Sequence, residues 1–149
     1  MTKSYLIDSN VLIYALNKDS PYHDPSIFII DKVLKGQIIG YITTQNLFET
    51  FAILTDKRRI TNPLTPSDAY SLIASRYLSG YFKLIQALPN TYQTLFELCQ
   101  KFNIIAQNIY DVTIVAVMKD HNLSDIITYD KQNFQQFNFI KPFAPNEIV

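Results

Sequence analysis

Asp8, Glu49, Asp111 and Asp130 each stand where an apolar run meets a helix start or a turn, positions from which a packed α/β domain can bring remote carboxylates into one pocket. Crowded carboxylates repel one another, and a cluster of three or four is sustained mainly by a hard divalent cation, Mg²⁺ or Mn²⁺, that neutralises it. Cations held by shared carboxylates activate a water for in-line attack on phosphorus and stabilise the charge on the leaving oxygen. The chemistry suggested is metal-dependent hydrolysis of a phosphodiester. Each acid also has an ordinary explanation. Asp8 and Asp111 are good helix caps, Glu49 is a partly exposed surface acid, and Asp130 is a turn former ahead of Lys131-Gln132-Asn133. Their joint order along the chain is what favours the catalytic reading.

The elements that must position these acids follow from apolar patterning. Residues 4 to 7 read as a short buried strand and Asn10 to Leu16 as the helix after it, which leaves Asp8 at the strand's carboxyl end. Asn17 to Pro25 reads as a loop, Ile27 to Leu34 as a helix closed by Gly36, and Ile38 to Ile42 as a second strand. Thr43 or Thr44 can cap the next helix, which carries Glu49 near its start and an apolar face through Leu47, Phe51 and Leu54. Ser67-Asp68 opens a helix that Gly80 stops, Phe82 to Leu88 reads as a third strand, and a helix through Leu95 and Leu98 ends near Asn103. Tyr110 to Asp120 is apolar on nearly all sides and must be central. Asp125 to Tyr129 reads as the fourth strand and Phe139 to Phe143 as a fifth. Strands separated by helices predict an α/β fold, a central parallel sheet of four to five strands flanked by helices, and such sheets bind ligands beyond the carboxyl ends of their strands. The chain is long enough for one domain, taken as residues 1–149, and too short for two ordinary ones.

Four segments in this order resemble the motifs of the PIN-domain nucleases. Leu6-Ile7-Asp8-Ser9-Asn10 resembles the opening motif, Thr44-Gln45-Asn46-Leu47-Phe48-Glu49 the second, Tyr110-Asp111-Val112-Thr113 the third, and Ile127-Thr128-Tyr129-Asp130 the fourth, a strand ending in Thr-X-Asp. The resemblance implies a metal-dependent ribonuclease, and at this length most resembles the VapC-like toxins of toxin–antitoxin pairs. It implies Asp8 and Asp111 as direct metal ligands, with Glu49 and Asp130 completing the site directly or through bound water. Asn10 and Thr128 would orient a ligand or a phosphate oxygen. It further implies RNA as substrate, a small antitoxin whose tail blocks the acidic pocket, and a homodimer. Exposed residues among Tyr70 to Tyr81 or Phe48 to Leu54 are the expected contributors to one such contact.

Composition narrows the alternatives. Thirteen basic and thirteen acidic side chains balance, so a polyanion must be bound locally and not by a general positive field. Lys57-Arg58-Arg59 is a candidate patch, or a solvated helix end. Cys99 is the single cysteine, which excludes an internal disulfide and a cysteine-based zinc site. The three glycines form no phosphate-binding loop. No run of apolar residues is long enough to span a membrane, and the start of the chain lacks a signal peptide's features, so a cytoplasmic protein is expected. Two rivals remain. A haloacid-dehalogenase-like phosphatase also begins with a strand and an Asp but needs a second acid where this chain has Asn10. A non-catalytic RNA- or protein-binding PIN module would keep the fold without turnover.

Overall fold

The computed structural model describes residues 1–149. Five parallel strands, β1 (Ser4–Ile7), β2 (Ile39–Thr43), β3 (Lys83–Ile85), β4 (Asp125–Ile127) and β5 (Lys141–Phe143), lie in the order β3-β2-β1-β4-β5. From β1 the sheet grows through β2 toward one edge and through β4 toward the other. The chain therefore reverses its direction of growth at β1 and β4, and the connections leaving these two strands open a crevice at their carboxyl ends.

The helices are α1 (Ser9–Leu16), α2 (His23–Leu34), α3 (Thr44–Leu54), α4 (Pro66–Tyr77), α5 (Thr91–Phe102), α6 (Asn108–Asp120) and the short α7 (Gln132–Gln135), with a 3₁₀ turn at Pro145–Glu147. Alternation along the strands divides the core into two layers. Tyr5, Ile7 and Ile127 pack with Leu12, Ile29 and Val33 of α1 and α2, whereas Leu6 and Ile126 pack with Val115, Met118 and Leu98 of α6 and α5. In α6, Val112 and every residue from Ile114 to Met118 are buried, in keeping with the helix being apolar on nearly all sides. Gly40 allows β2 to lie close to α2, because a Cβ there would stand 2.8 Å from Val33 Cγ2 and 3.1 Å from the Phe82 ring. No helix is long and apolar enough to cross a membrane.

Several boundaries differ from those read in the sequence, each for a local reason. Helix α2 begins at His23, not Ile27, since Pro25 falls in its first turn, where a missing N–H costs nothing. Helix α4 likewise starts on Pro66, with the Thr65 side chain accepting from Asp68 N. Strand β3 stops at Ile85, well short of Leu88, whose N–H donates to Thr91 Oγ1 at 2.8 Å and is lost to the ladder. Strand β4 ends at Ile127; Thr128 N still donates to Phe143 O of β5 at 2.9 Å, but the amides after it are drawn to side chains, Tyr129 N to Asn10 Oδ1 and Asp130 N to Thr128 Oγ1. Strand β5 begins only at Lys141, as Ile140 N is turned back to Phe137 O. Helix α7 carries no signal in the sequence reading.

Candidate active site

Asp8 follows β1 directly, and its backbone N–H still donates to Ile127 O of β4 at 3.0 Å. Its side chain caps α1, with Oδ1 accepting from Ser9 N at 2.8 Å, while Oδ2 accepts from Thr128 Oγ1 at 2.7 Å. The capping role and the placement at the sheet's carboxyl edge therefore coexist. Thr128, fully buried, also accepts from Asn10 Nδ2 at 3.3 Å and from Asp130 N at 3.0 Å. One hydroxyl thus links the loop after β1 to the loop after β4. Asn10 and Thr128 reach each other, and Thr128 reaches Asp8.

Glu49 is positioned by α3. Thr43 ends β2 and caps that helix through a reciprocal pair, Asn46 N donating to Thr43 Oγ1 at 3.0 Å and Thr43 N to Asn46 Oδ1 at 2.8 Å. The other end of the buried Asn46 amide donates to Ser9 Oγ at 2.9 Å, and Ser9 Oγ in turn donates to Glu49 Oε2 at 2.6 Å. Glu49 Oε1 accepts from Gln45 Nε2 at 2.8 Å, and Gln45 Oε1 accepts from Thr113 Oγ1 on α6. Hydroxyls and amides alone therefore join α1, α3 and α6 around the site.

Asp111 occupies the first turn of α6, inside the helix and not at its cap, and is exposed. Asp130 is also exposed, at the loop leading to α7, and accepts from Asn133 Nδ2 at 2.5 Å. All four acids line one cavity of about 360 Å³, together with Ser9, Asn10, Gln45, Asn133 and Arg59. Sharing a cavity is not the same as sharing a ligand sphere. No three acidic, histidine or cysteine side chains stand close enough together to hold a metal ion as placed. Glu49 and Asp130 each accept from their own neutral donors.

Burial is the largest influence on Asp8. It raises the carboxyl from its ordinary 3.8 to about 6, with Glu49 and Asp130 adding repulsion and the bonds from Thr128 and Ser9 opposing the rise. An 8 % exposed carboxylate among like charges, with no cation paired to it, is an electrostatic deficit. The donors around it are carboxylate, hydroxyl and amide oxygens, the set a hard divalent cation prefers. On burial and donor chemistry the residues fit such an ion.

Ser9, Gln45, Asn46, Thr113, Asn133 and Arg59 were not singled out individually as site residues from the sequence. Asn46 carried a readable signal, standing three positions after the capping Thr43, and Arg59 stood in the basic Lys57-Arg58-Arg59 cluster. The others are ordinary polar residues until the fold brings them together.

Comparison with known proteins agrees with the topology. A family model described as PIN domain matches residues 5–140. Ribonuclease VapC24 of Mycobacterium tuberculosis is 21% identical over 140 residues, covering 93% of this chain and 94% of that protein. Ribonuclease VapC48 of the same organism is 21% identical over 144 residues, covering 95% and 99%. Among solved structures, FitAcB from Neisseria gonorrhoeae superposes with a TM-score of 0.65 at 15% identity over 97% of this chain and 99% of that one. VapBC2 from Rickettsia felis, bound to a DNA fragment from their promoter, gives 0.64 at 16% identity over 95% and 98%. At those identities the solved structures speak for the fold.

Proposed function

The chain belongs to the PIN-domain family, and from that premise we propose that it is a Mg²⁺- or Mn²⁺-dependent endoribonuclease, the toxin of a toxin–antitoxin pair. The observation that carries this reading is the convergence of Asp8, Glu49, Asp111 and Asp130 on one cavity beyond the carboxyl ends of β1 and β4. The names of the two curated relatives supply the ribonuclease class.

Asp8 and Asp111 are the direct ligands in this proposal, with Glu49 and Asp130 acting directly or through water. A divalent cation held there would stabilise the negative charge of the scissile phosphate and lower the pKa of the attacking water. The protein's part is positioning. Thr128 and the α1 N-terminus fix the Asp8 carboxylate, and Ser9 and Gln45 fix both oxygens of Glu49. Asn10, anchored to Thr128 and Tyr129, braces the two loops and is not an acid–base group. That role disfavours the phosphatase reading, which requires proton transfer from this position.

The proposed partners follow the solved relatives, of which one is titled a toxin–antitoxin complex from Klebsiella pneumoniae. A small antitoxin would reach the acidic cavity, and a homodimer would bury exposed apolar surface. Phe48, Tyr70, Leu78 and Tyr81 are exposed, whereas Leu54, Ala69, Ile73 and Tyr77 belong to the core, so the dimer contact falls to the first set.

Matched single-stranded RNA and DNA incubated with the purified chain test the function. RNA fragments are expected with Mg²⁺ or Mn²⁺, and none after chelation. Binding of RNA and cation without cut strands would instead identify a non-catalytic module.

A further inference from the structure

Arg59 is the one cationic side chain lining a cavity that four carboxylates share. Two cations on either side of the cavity are already committed. Arg58 forks onto Asp56 with Nε–Oδ1 and Nη2–Oδ2 distances of 3.0 Å, and Lys131, on the Asp130 side, pairs with Glu147 at 2.6 Å. Arg59 forms no ion pair, and Glu49, Asp8 and Asp130 are held by neutral donors. Its backbone N–H donates to Asp56 O at 3.0 Å, which fixes the turn and leaves the guanidinium exposed. The same side chain also lines an adjoining cleft of about 230 Å³ with Asn10, Ile13, Tyr14, Asn17, Ile53 and Ile60. The two cavities share Asn10, Ile13, Ile53 and Arg59, so an extended ligand leaving the acidic centre on this side passes the guanidinium.

We propose that Arg59 grips a backbone phosphate of the RNA strand beside the point of cleavage, an inference that rests on the ribonuclease reading. A chain of zero net charge has no general field with which to hold a polyanion, so local contacts must do it. A guanidinium presents a planar fork of donors that matches phosphate oxygens, and one without an internal carboxylate partner keeps those donors free for substrate. The Tyr14 ring, supported by Tyr22 and Tyr129 at centroid distances of 5.0 and 5.3 Å, walls the cleft beyond it. Arg59 is thus assigned a substrate-positioning role, separate from the acids that do the chemistry.

The test uses the full chain and a labelled single-stranded RNA. Initial rates with Mg²⁺ give kcat and KM, and anisotropy with Ca²⁺ in place of Mg²⁺ gives Kd at several salt concentrations. Arg59→Ala is expected to raise KM and Kd about tenfold, as loss of a charge-assisted hydrogen-bonding pair does, while kcat changes by less than about threefold. The slope of log affinity against log salt becomes shallower by about 0.7, the share of one phosphate contact on a single strand. Arg59→Lys keeps the slope and loses part of the affinity, because charge remains and the fork does not. Lys35→Ala, removing an exposed cation at the C-terminal end of α2 and outside the cavity, leaves KM and slope near wild type. An unchanged slope in Arg59→Ala, or an equal effect of Lys35→Ala, overturns the proposal. If the wild-type chain binds RNA with an Arg59-dependent slope but never cuts it, the phosphate grip stands and the ribonuclease reading falls. If it binds no RNA, both fall.

Discussion

Asp111→Asn and Asp8→Asn are each expected to lower metal-stimulated RNA cleavage by at least about 100-fold, since removing even an outer partner of a metal site commonly costs 10- to 100-fold. The two substitutions act through opposite surroundings. Asp111 is exposed in the first turn of α6, so Asn there leaves the packed helix face untouched, and folding is preserved. Its loss of activity would report on the site and not on stability. Asp8 is buried and accepts two hydrogen bonds, which an Asn carboxamide can only partly retain. Combining the two changes should cost little more than either alone, because ligands of one centre act as a unit. Initial rates on one RNA at saturating Mn²⁺ measure this, with cleavage near wild type in either variant as the contrary result.

Stability of the cation-free protein supplies the second large effect. A carboxyl at about 6 in the folded chain and 3.8 when unfolded holds its proton longer folded than unfolded. Its contribution is fully favourable below pH 4 and is lost as pH rises through 6, where the folded state must carry a buried charge. The loss is about 3 kcal/mol, at 1.36 kcal/mol for each pH unit between the two values. Asp8→Asn removes the titration. In urea unfolding with a chelator present, the variant should therefore exceed wild type by up to about 3 kcal/mol at pH 7.5, and the advantage should vanish near pH 4. Saturating Mn²⁺ should stabilise the wild type and leave the variant nearly unchanged, because only the folded wild-type site binds the ion. Equal unfolding curves at both pH values would show that Asp8 carries no buried charge.

On the proposed function the two expected effects point in opposite directions at one residue: Asp8 would cost stability and be needed for activity. Residues at functional sites are where local and global preferences are expected to conflict. The hydroxyl and amide donors around Asp8 and Glu49 moderate that conflict without removing it. Thr128 and Ser9 lower the Asp8 value, yet burial still prevails.

What the sequence could reveal depends on how local the governing physics is. Runs such as Leu6-Ile7 and Ile126-Ile127 announce buried parallel strands because both faces of such a sheet are covered, and α6 announces itself as central because it is apolar all round. Asp8 was legible as a strand-end acid for the same reason, whereas Asp130, read at the end of a strand reaching Tyr129, stands three residues beyond β4. Strand ends were less legible, since Leu88, Tyr129 and Asp130 lose their ladder bonds to side chains at Thr91, Asn10 and Thr128. Pro25 and Pro66 read as breaks although each lies in a helix's first turn. The bridge from Asn46 through Ser9 to Glu49 spans nearly the first third of the chain, and no local pattern encodes it. Arg59 stood in a basic cluster with two readings. The fold separates that cluster, leaving Arg58 forked onto Asp56 and placing Arg59 on the wall of the acidic cavity.

The central claim is that these four remote carboxylates hold a divalent cation between them. Anomalous diffraction from crystals of the wild-type chain grown with Mn²⁺ tests it most directly. A manganese peak bounded by Asp8 and Asp111, with Glu49 and Asp130 in reach directly or through water, is the expected result, and it should disappear in the Asp8→Asn, Asp111→Asn double variant. Manganese bound elsewhere, or an empty cavity in a protein that still cleaves RNA with the ion present, would contradict the account.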